Sequence, residues 1–324
     1  MPYQIFDRSR LIIKPLSERS HDTSINNFIG LSEELEYFDN PALKPLAESI
    51  LAAKEKCAAV ILMYGAHVIR AGCSLHIIEM MKRGQITHLA TNGAGSIHDF
   101  ELSLIGETCE SVARYISEGQ FGLWHETGKI NDIIAEGCKD NLGWGEALGR
   151  YIWDNNLPHR EKSVLAMGYH LRIPCTVHVG IGSDIIHEHP NCDGASMGLS
   201  SYRDFLVFTQ TVTQLEGGVF LNFGSAVTGP EVYLKALSMA RNVAGQSGEQ
   251  ITDFTTAVFD ILPLGDSDTS LAPQKNNPHY YFRPWKTILA RTVADGGKSY
   301  YVQGEHSLTL PHLARHVWAL ESLY

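Results

Sequence analysis

The chain has 324 residues, with 36 Asp plus Glu against 26 Lys plus Arg, giving a formal net charge of −10 at pH 7. That balance excludes a nucleic-acid partner, whose phosphates call for clustered Lys and Arg. With 44 % hydrophobic residues and no apolar run near the roughly 20 residues of a membrane helix, the composition is that of a soluble globular protein with no membrane partner.

The N-terminal stretch MPYQIFDRSRLIIKPLSERS is charged throughout and lacks the apolar block of a signal peptide. Residues 1–45 are polar and irregular, with prolines at 2, 15, 41 and 45, and read as an extension packed on a main body formed by 46–324. Helical spacing over 46–57 precedes the continuous apolar run AAVILMYG at 58–65. A helix closed by Gly84 covers 76–84, and a second buried strand covers 86–93. A longer helical and loop section follows, and then strands over 173–182, 218–225, 253–262 and 298–305 alternate with helical segments. Short apolar strands, each followed by a small-residue turn and a helix, predict a mostly parallel, doubly wound α/β sheet with helices on both faces. Six cysteines without a C-x-x-C pair read as reduced thiols of a cytoplasmic protein.

In such a sheet, ligands gather beyond the carboxyl ends of the strands. The turns at those ends are 64–72, 91–99, 179–190, 222–231, 260–270 and 303–307. Each mixes small residues with an acid, a hydroxyl, an amide or a histidine, which predicts one shared site. Read from the residues alone, Thr91, Asn92 and Gly93 let a ligand approach bare backbone or simply make a tight turn. His98 and Asp99 face reacting groups, or Asp99 caps a helix. Asn222, Gly224 and Ser225 end a buried strand where a glycine admits a cofactor. Glu231, Asp266 and Asp268 are amine-binding acids or ordinary turn and helix-start acids. Trp285 stacks on a cation or fills a core, and Lys286 is a surface residue or a nucleophilic amine. A rival reading takes His178, His187 and His189, with Cys192 and Asp193 nearby, as ligands of a hydrolytic zinc ion.

Taken in order, several segments resemble the deoxyhypusine synthase family over roughly residues 58–318. TNGAGSIHD stands where that family has Thr-Thr-Ala-Gly-Gly-Val-Glu-Glu-Asp, FLNFGS resembles its Ile-Leu-Gly-Gly-Gly strand end, and SMARNVAG its Met-Arg-Asn-Gly-Ala helix end. LGDSDTS, FRPWKTI and EHSLTLPHL are similar to its Asp-Gly-Ser-Asp-Ser-Gly, Val-Ser-Trp-Gly-Lys-Ile and closing Asp-Ala-Ser segments. The resemblance implies a Rossmann-like homotetramer that uses NAD to oxidise a polyamine such as spermidine. The aminobutyl group is then held as an imine on a lysine and passed to an acceptor amine, free or on a protein lysine. It implies NAD against Thr91, Asn92, Gly93, Asp184, Asn222, Gly224, Ser225 and Glu305. Catalysis would fall to Lys286, His98 and Asp99, and amine binding to Asp266, Asp268, Trp285 and Glu231. This chain departs from the pattern at Trp285-Lys286, where the lysine comes one place early, and at GIGSDIIHEH, where Asp184 is displaced. A divergent paralogue, with this fold but other chemistry or ligand binding only, is the alternative.

Overall fold

The computed structural model describes residues 3–265 and 267–323. Six parallel strands form its main sheet: β1 (Val60–Tyr64), β2 (His88–Asn92), β3 (Cys175–His178), β4 (Val219–Phe223), β5 (Thr255–Asp260) and β6 (Lys298–Gln303). Their order across the sheet is β3-β2-β1-β4-β5-β6. That is the strand order of a doubly wound, Rossmann-like fold, in which the chain reverses its direction of travel between β1 and β4. All six strands lie inside the runs predicted from apolar continuity.

The helices are α1 (Leu43–Glu55), α2 (Ala66–Arg70), α3 (Ser74–Lys82), α4 (Gly93–Ile105), α5 (Val112–Ser117), α6 (His125–Lys139), α7 (Trp144–Asp154), α8 (Val164–Leu171), α9 (Gly194–Val212), α10 (Thr228–Gln246) and α11 (His306–Glu321). Strand β1 explains why its sequence is apolar at every position. Val60, Leu62 and Tyr64 join the core under α1, α3, α4 and α11, while Ile61 and Met63 join the core under α9 and α10. A strand covered on both faces has no polar side to spare. None of these helices is long and apolar enough to cross a membrane.

The segment before α1 is built from short 3₁₀ turns, and one two-residue strand, Thr23–Ser24, pairs antiparallel with Glu107–Thr108. A further bridge joins Lys14 to Trp124. The edge strand β3 is protected by a carboxylate. Asp204, buried on α9, accepts from Val177 N at 2.7 Å and from Gly145 N at 3.0 Å, so one group covers the strand edge and the start of α7.

At the reversal point the ends of β1 and β4 almost touch. A methyl group on Gly65 would stand 2.7 Å from the carbonyl oxygen of Gly224, which itself has φ +62°. Backbone there cannot retreat without pulling two central strands apart. Gly65→Ala should therefore cost about 1–3 kcal/mol, the usual range for overpacking. Chemical denaturation measures it, and a loss below roughly 0.5 kcal/mol, the range of an indifferent surface change, would mean that the strand ends give way freely.

Candidate active site

Two features lie at the carboxyl edge of the sheet, joined by the single turn of α2. The first is the reversal point itself. Gly65 precedes α2, and Gly224 and Ser225 follow β4. His306, the first residue of α11, fills the space beside Gly224, where a side chain would collide with its Nε2. Its Nδ1 is buried without a partner among the described residues, and burial lowers the imidazole to about 4. Glu305 is exposed beside it. Asn222 turns inward, its Nδ2 donating to Ser225 O at 3.1 Å, and Ser225 Oγ accepts from Gly229 N at 2.8 Å. These two side chains therefore tie the turn into α10.

Around β2, each small residue has a local reason. Thr91 Oγ1 donates to Tyr64 O at 2.9 Å, and Asn92 caps α4 by accepting from Gly95 N at 2.9 Å. Gly93 is required because the Asp184 carboxylate occupies the place of its side chain. Gly93 and Gly224 were expected to make room for a dinucleotide; in the fold the space beside each is taken by a side chain of this protein. A carboxylate fills the first space and an imidazole the second. Burial raises Asp184 to about 6, against the lowering pull of the Ala94 amide.

The second feature is a cavity of about 310 Å³ between α4, the end of α2, the 109–110 turn and the 183–185 loop. Helix α4 offers it Ala94, Ile97, His98 and Glu101, residues three and four apart on one face. Glu101 is 1 % exposed. Its Oε1 accepts from Arg19 Nη1 at 2.9 Å and from the Thr127 hydroxyl, and its Oε2 accepts from Arg19 Nη2 at 2.6 Å and Thr108 Oγ1 at 2.7 Å. Burial pushes this carboxyl up, but the Arg19 guanidinium and the two hydroxyls leave it below its ordinary value. Thr108 Oγ1 in turn lies 2.8 Å from His98 Nδ1. Burial lowers His98 to about 4, so the imidazole is neutral at neutral pH.

Two carboxylates in the cavity have no ion-pair partner within 4 Å among the described residues: Asp184 and Glu110. Glu110 accepts from Gly122 N at 3.0 Å and Trp124 Nε1 at 2.8 Å, and burial raises it. Arg70 and Cys109 complete the wall. Cys109 has φ +67°, a strained value for a residue with a side chain, and its Sγ lies 3.8 Å from His98 Nδ1.

Several predicted residues lie elsewhere. Asp99 does not face the cavity. It accepts from Val164 N at 2.9 Å, Leu165 N at 3.2 Å and the Ser163 hydroxyl, and so caps α8. A one-residue step on a helix turns the side chain by roughly 100°, which separates Asp99 from His98. Glu231 is neutralised by Lys235 and Arg283, and Asp268 holds Ser270 N at 3.0 Å in its own turn. Asp266 lies outside the described residues. Trp285 is core, with Nε1 donating to Leu271 O at 2.9 Å. Lys286 is the second residue of a wide helical turn, Trp285–Arg291, rather than part of a strand. It is 8 % exposed, and its Nζ lies 3.5 Å from the centre of the Tyr280 ring, outside the cavity wall.

The zinc reading fails on orientation. His178 Nε2 lies 3.1 Å from Thr176 Oγ1. His187 Nδ1 accepts from Asp184 N at 3.0 Å, and His189 Nε2 donates to Gly122 O at 2.9 Å. Among the described residues, no three His, Cys, Asp or Glu converge on a metal position. Cys192 contacts Met197 Sδ at 3.4 Å, and Asp193 caps α9 through Ser196 N at 3.0 Å. The residues that sequence reading missed are Arg19, Arg70, Glu101, Cys109 and Glu110. Of these, Glu101 alone carried a local signal, its three-residue spacing from His98.

Fold and site together define an α/β protein of Rossmann-like topology with an ionisable cavity beside its reversal point. No family model matches the chain. No curated protein matches it either. Among solved structures it is similar to apo ArgZ, an arginine dihydrolase from the ornithine-ammonia cycle in Cyanobacteria, with TM-score 0.52 and 14 % identity over 88 % of this chain. It is also similar to AgrE in ternary complex with ornithine and NAD+, with TM-score 0.51 and 14 % identity over 87 % of this chain. This chain covers 33 % of each of those two chains, about a third of their length. A LOR/SDH protein from Methanococcus maripaludis S2 gives TM-score 0.51 and 15 % identity, covering 93 % of this chain and 73 % of its own. Similarity at this identity shows a shared fold. A chain from Entamoeba histolytica assigned as a deoxyhypusine synthase superposes at a TM-score of only 0.40, so that family rests on the sequence resemblance alone.

His88 and His178 lie under α9, bridged by Thr176 Oγ1, and burial lowers both to about 3. Both stay neutral in the fold where the unfolded chain, with histidines near pH 6.5, takes up protons. Their contribution to stability is complete above about pH 6.5 and falls as pH drops toward 3, while the raised acids Asp99 and Asp204 act in the opposite sense. Thermal unfolding across this window should show a shallower acid loss in His178→Gln than in the parent. An unchanged slope would remove His178 from the account.

Proposed function

We propose that the chain is an enzyme that binds NAD at the β1–β4 reversal point and oxidises a small cationic amine held in the His98 cavity. The observation that carries this reading is the cavity itself. It sets two carboxylates without ion-pair partners, Asp184 and Glu110, around a neutral imidazole, one helical turn from the reversal point. A cationic ligand supplies the charge that burial withholds from these acids. The strand order and the unpartnered His306 Nδ1 beside Gly224 fit a dinucleotide there, with Gly65, Gly224, Ser225, Glu305 and His306 around it. The pairing of ornithine with NAD+ in the AgrE complex, on a similar fold, supports joining an amine to this cofactor.

Asp184 and Glu110 hold the ammonium end of the substrate. His98 takes one proton from the substrate nitrogen, and the lone pair so freed forms a carbon–nitrogen double bond as hydride leaves the adjacent carbon. NAD, when bound, supplies the acceptor for that hydride. The finer expectation, transfer of an aminoalkyl group through an imine on Lys286, gains no support, because the ammonium of Lys286 rests on Tyr280.

The test is calorimetric titration with NAD, followed by NAD reduction in the presence of spermidine, ornithine and other amines. Absence of binding at millimolar NAD would favour the ligand-binding paralogue. His98→Gln should keep NAD affinity and lower kcat by about 10²–10⁴, the usual contribution of a positioned base. Activity should fall as pH drops through about 6, where Asp184 becomes protonated and loses its hold on the cation. His98 stays neutral down to about 4, so Asp184→Asn should remove the part of this acid limb near 6 and leave only what protonation of the raised Glu110 contributes.

A further inference from the structure

The hydrogen bonds around Glu101 leave His98 little choice of tautomer. All four contacts to the Glu101 oxygens are donations from Arg19, Thr108 and Thr127, which describes an ionised carboxylate used to its acceptor capacity. The Thr108 hydroxyl proton is therefore committed to Glu101, and the hydroxyl oxygen is left only as an acceptor toward His98 Nδ1. His98 lines the cavity, its Nδ1 is engaged by Thr108, and its Nε2 has no hydrogen-bond partner among the described residues, which leaves Nε2 as the nitrogen free to meet a ligand.

The source of this order is remote. Arg19 belongs to the segment before α1 and reaches Glu101 across 82 positions of sequence. The same segment clamps Thr108 from the other side, through the Thr23–Thr108 pairing and through Asp22 N to Cys109 O at 3.3 Å.

We propose that Arg19 is a positioning residue for His98. Through Glu101 and Thr108 it holds the imidazole with hydrogen on Nδ1, so that Nε2 faces the cavity as a proton acceptor. This deepens the enzyme reading above and rests on it for the use of His98 as a base. The groups around the imidazole are Arg19, His67, Arg70, Glu101, Cys109, Glu110 and Asp184. Among the described residues, only Thr108 and Cys109 reach Nδ1.

Long-range proton–nitrogen correlation spectra of the full chain with labelled histidine read the tautomer directly. The parent protein and Thr108→Ser should show His98 protonated on Nδ1. Thr108→Val removes the acceptor and should shift most of the population to the Nε2-protonated form. Arg19→Gln leaves Glu101 without its counter-charge and should do the same, whereas a residue that only stabilises the fold would lower the melting temperature with the tautomer unchanged. Should Arg19→Gln fail to fold, the parent, Thr108→Ser and Thr108→Val spectra still decide. Nε2 protonation in the parent, or no change in Thr108→Val, overturns the proposal. A parent protein with the Nδ1 signature that neither binds nor reduces NAD would sink the enzyme reading and leave the relay standing.

Discussion

An ionised carboxylate cannot be buried on helix α4 without a counter-charge brought to it, because taking one charge out of water costs several kcal/mol unless it is paired and hydrogen-bonded. Glu101 is that carboxylate, and Arg19 is the charge. Meeting this demand organises much of the molecule's carboxyl edge. The segment before α1 passes the C-terminal end of α4 and delivers Arg19, the Thr23–Ser24 pairing with Glu107–Thr108 keeps it there, and Thr127 ties α6 to Glu101 Oε1. The cavity is what remains between these elements once Glu101 is satisfied.

The same economy recurs with three aspartates. Asp184 sits at the start of α4, Asp99 at the start of α8 and Asp204 at the start of α7, each arriving from a different element. Free backbone N–H groups and the positive end of the helix dipole make these the places where a buried carboxylate can be tolerated. All three are nevertheless raised by burial, Asp184 and Asp99 to about 6 and Asp204 to about 8. The difference between them is access. Asp99 and Asp204 are almost fully buried, at 1 % and 2 % exposed, and of the three Asp184 is the one that lines the His98 cavity, while Asp204 borders a separate cavity at the start of α7.

The glycines at the strand ends tell a related story. Gly65 lies against Gly224, Gly93 against Asp184 and Gly224 against His306. Small residues at the mouth of a parallel sheet invite a cofactor interpretation, but here they first allow the protein's own groups to converge. At this edge the backbone of Gly65 meets that of Gly224, with the His306 imidazole beside Gly224.

Strand identity, the alternation with helices and the doubly wound class were legible in the chain, because a strand buried on both faces must be apolar at every position and each turn must change direction in a few small residues. His98 was legible as well, since it follows a strand-ending turn at the start of a helix. What periodicity does not carry is which strand neighbours which, and so neither the β3-β2-β1-β4-β5-β6 order nor the reversal point can be read from one sequence. Nor does it separate neighbours such as His98 and Asp99, whose directions differ by a fraction of a helical turn. The sequence by itself determined the elements and the edge at which their small-residue turns lie, through local apolar patterning. Only the tertiary structure decided that Asp99 seals a helix, that Lys286 rests on Tyr280 and that Arg19 completes the site, because those outcomes depend on charges and hydrogen-bond partners brought together from distant parts of the chain.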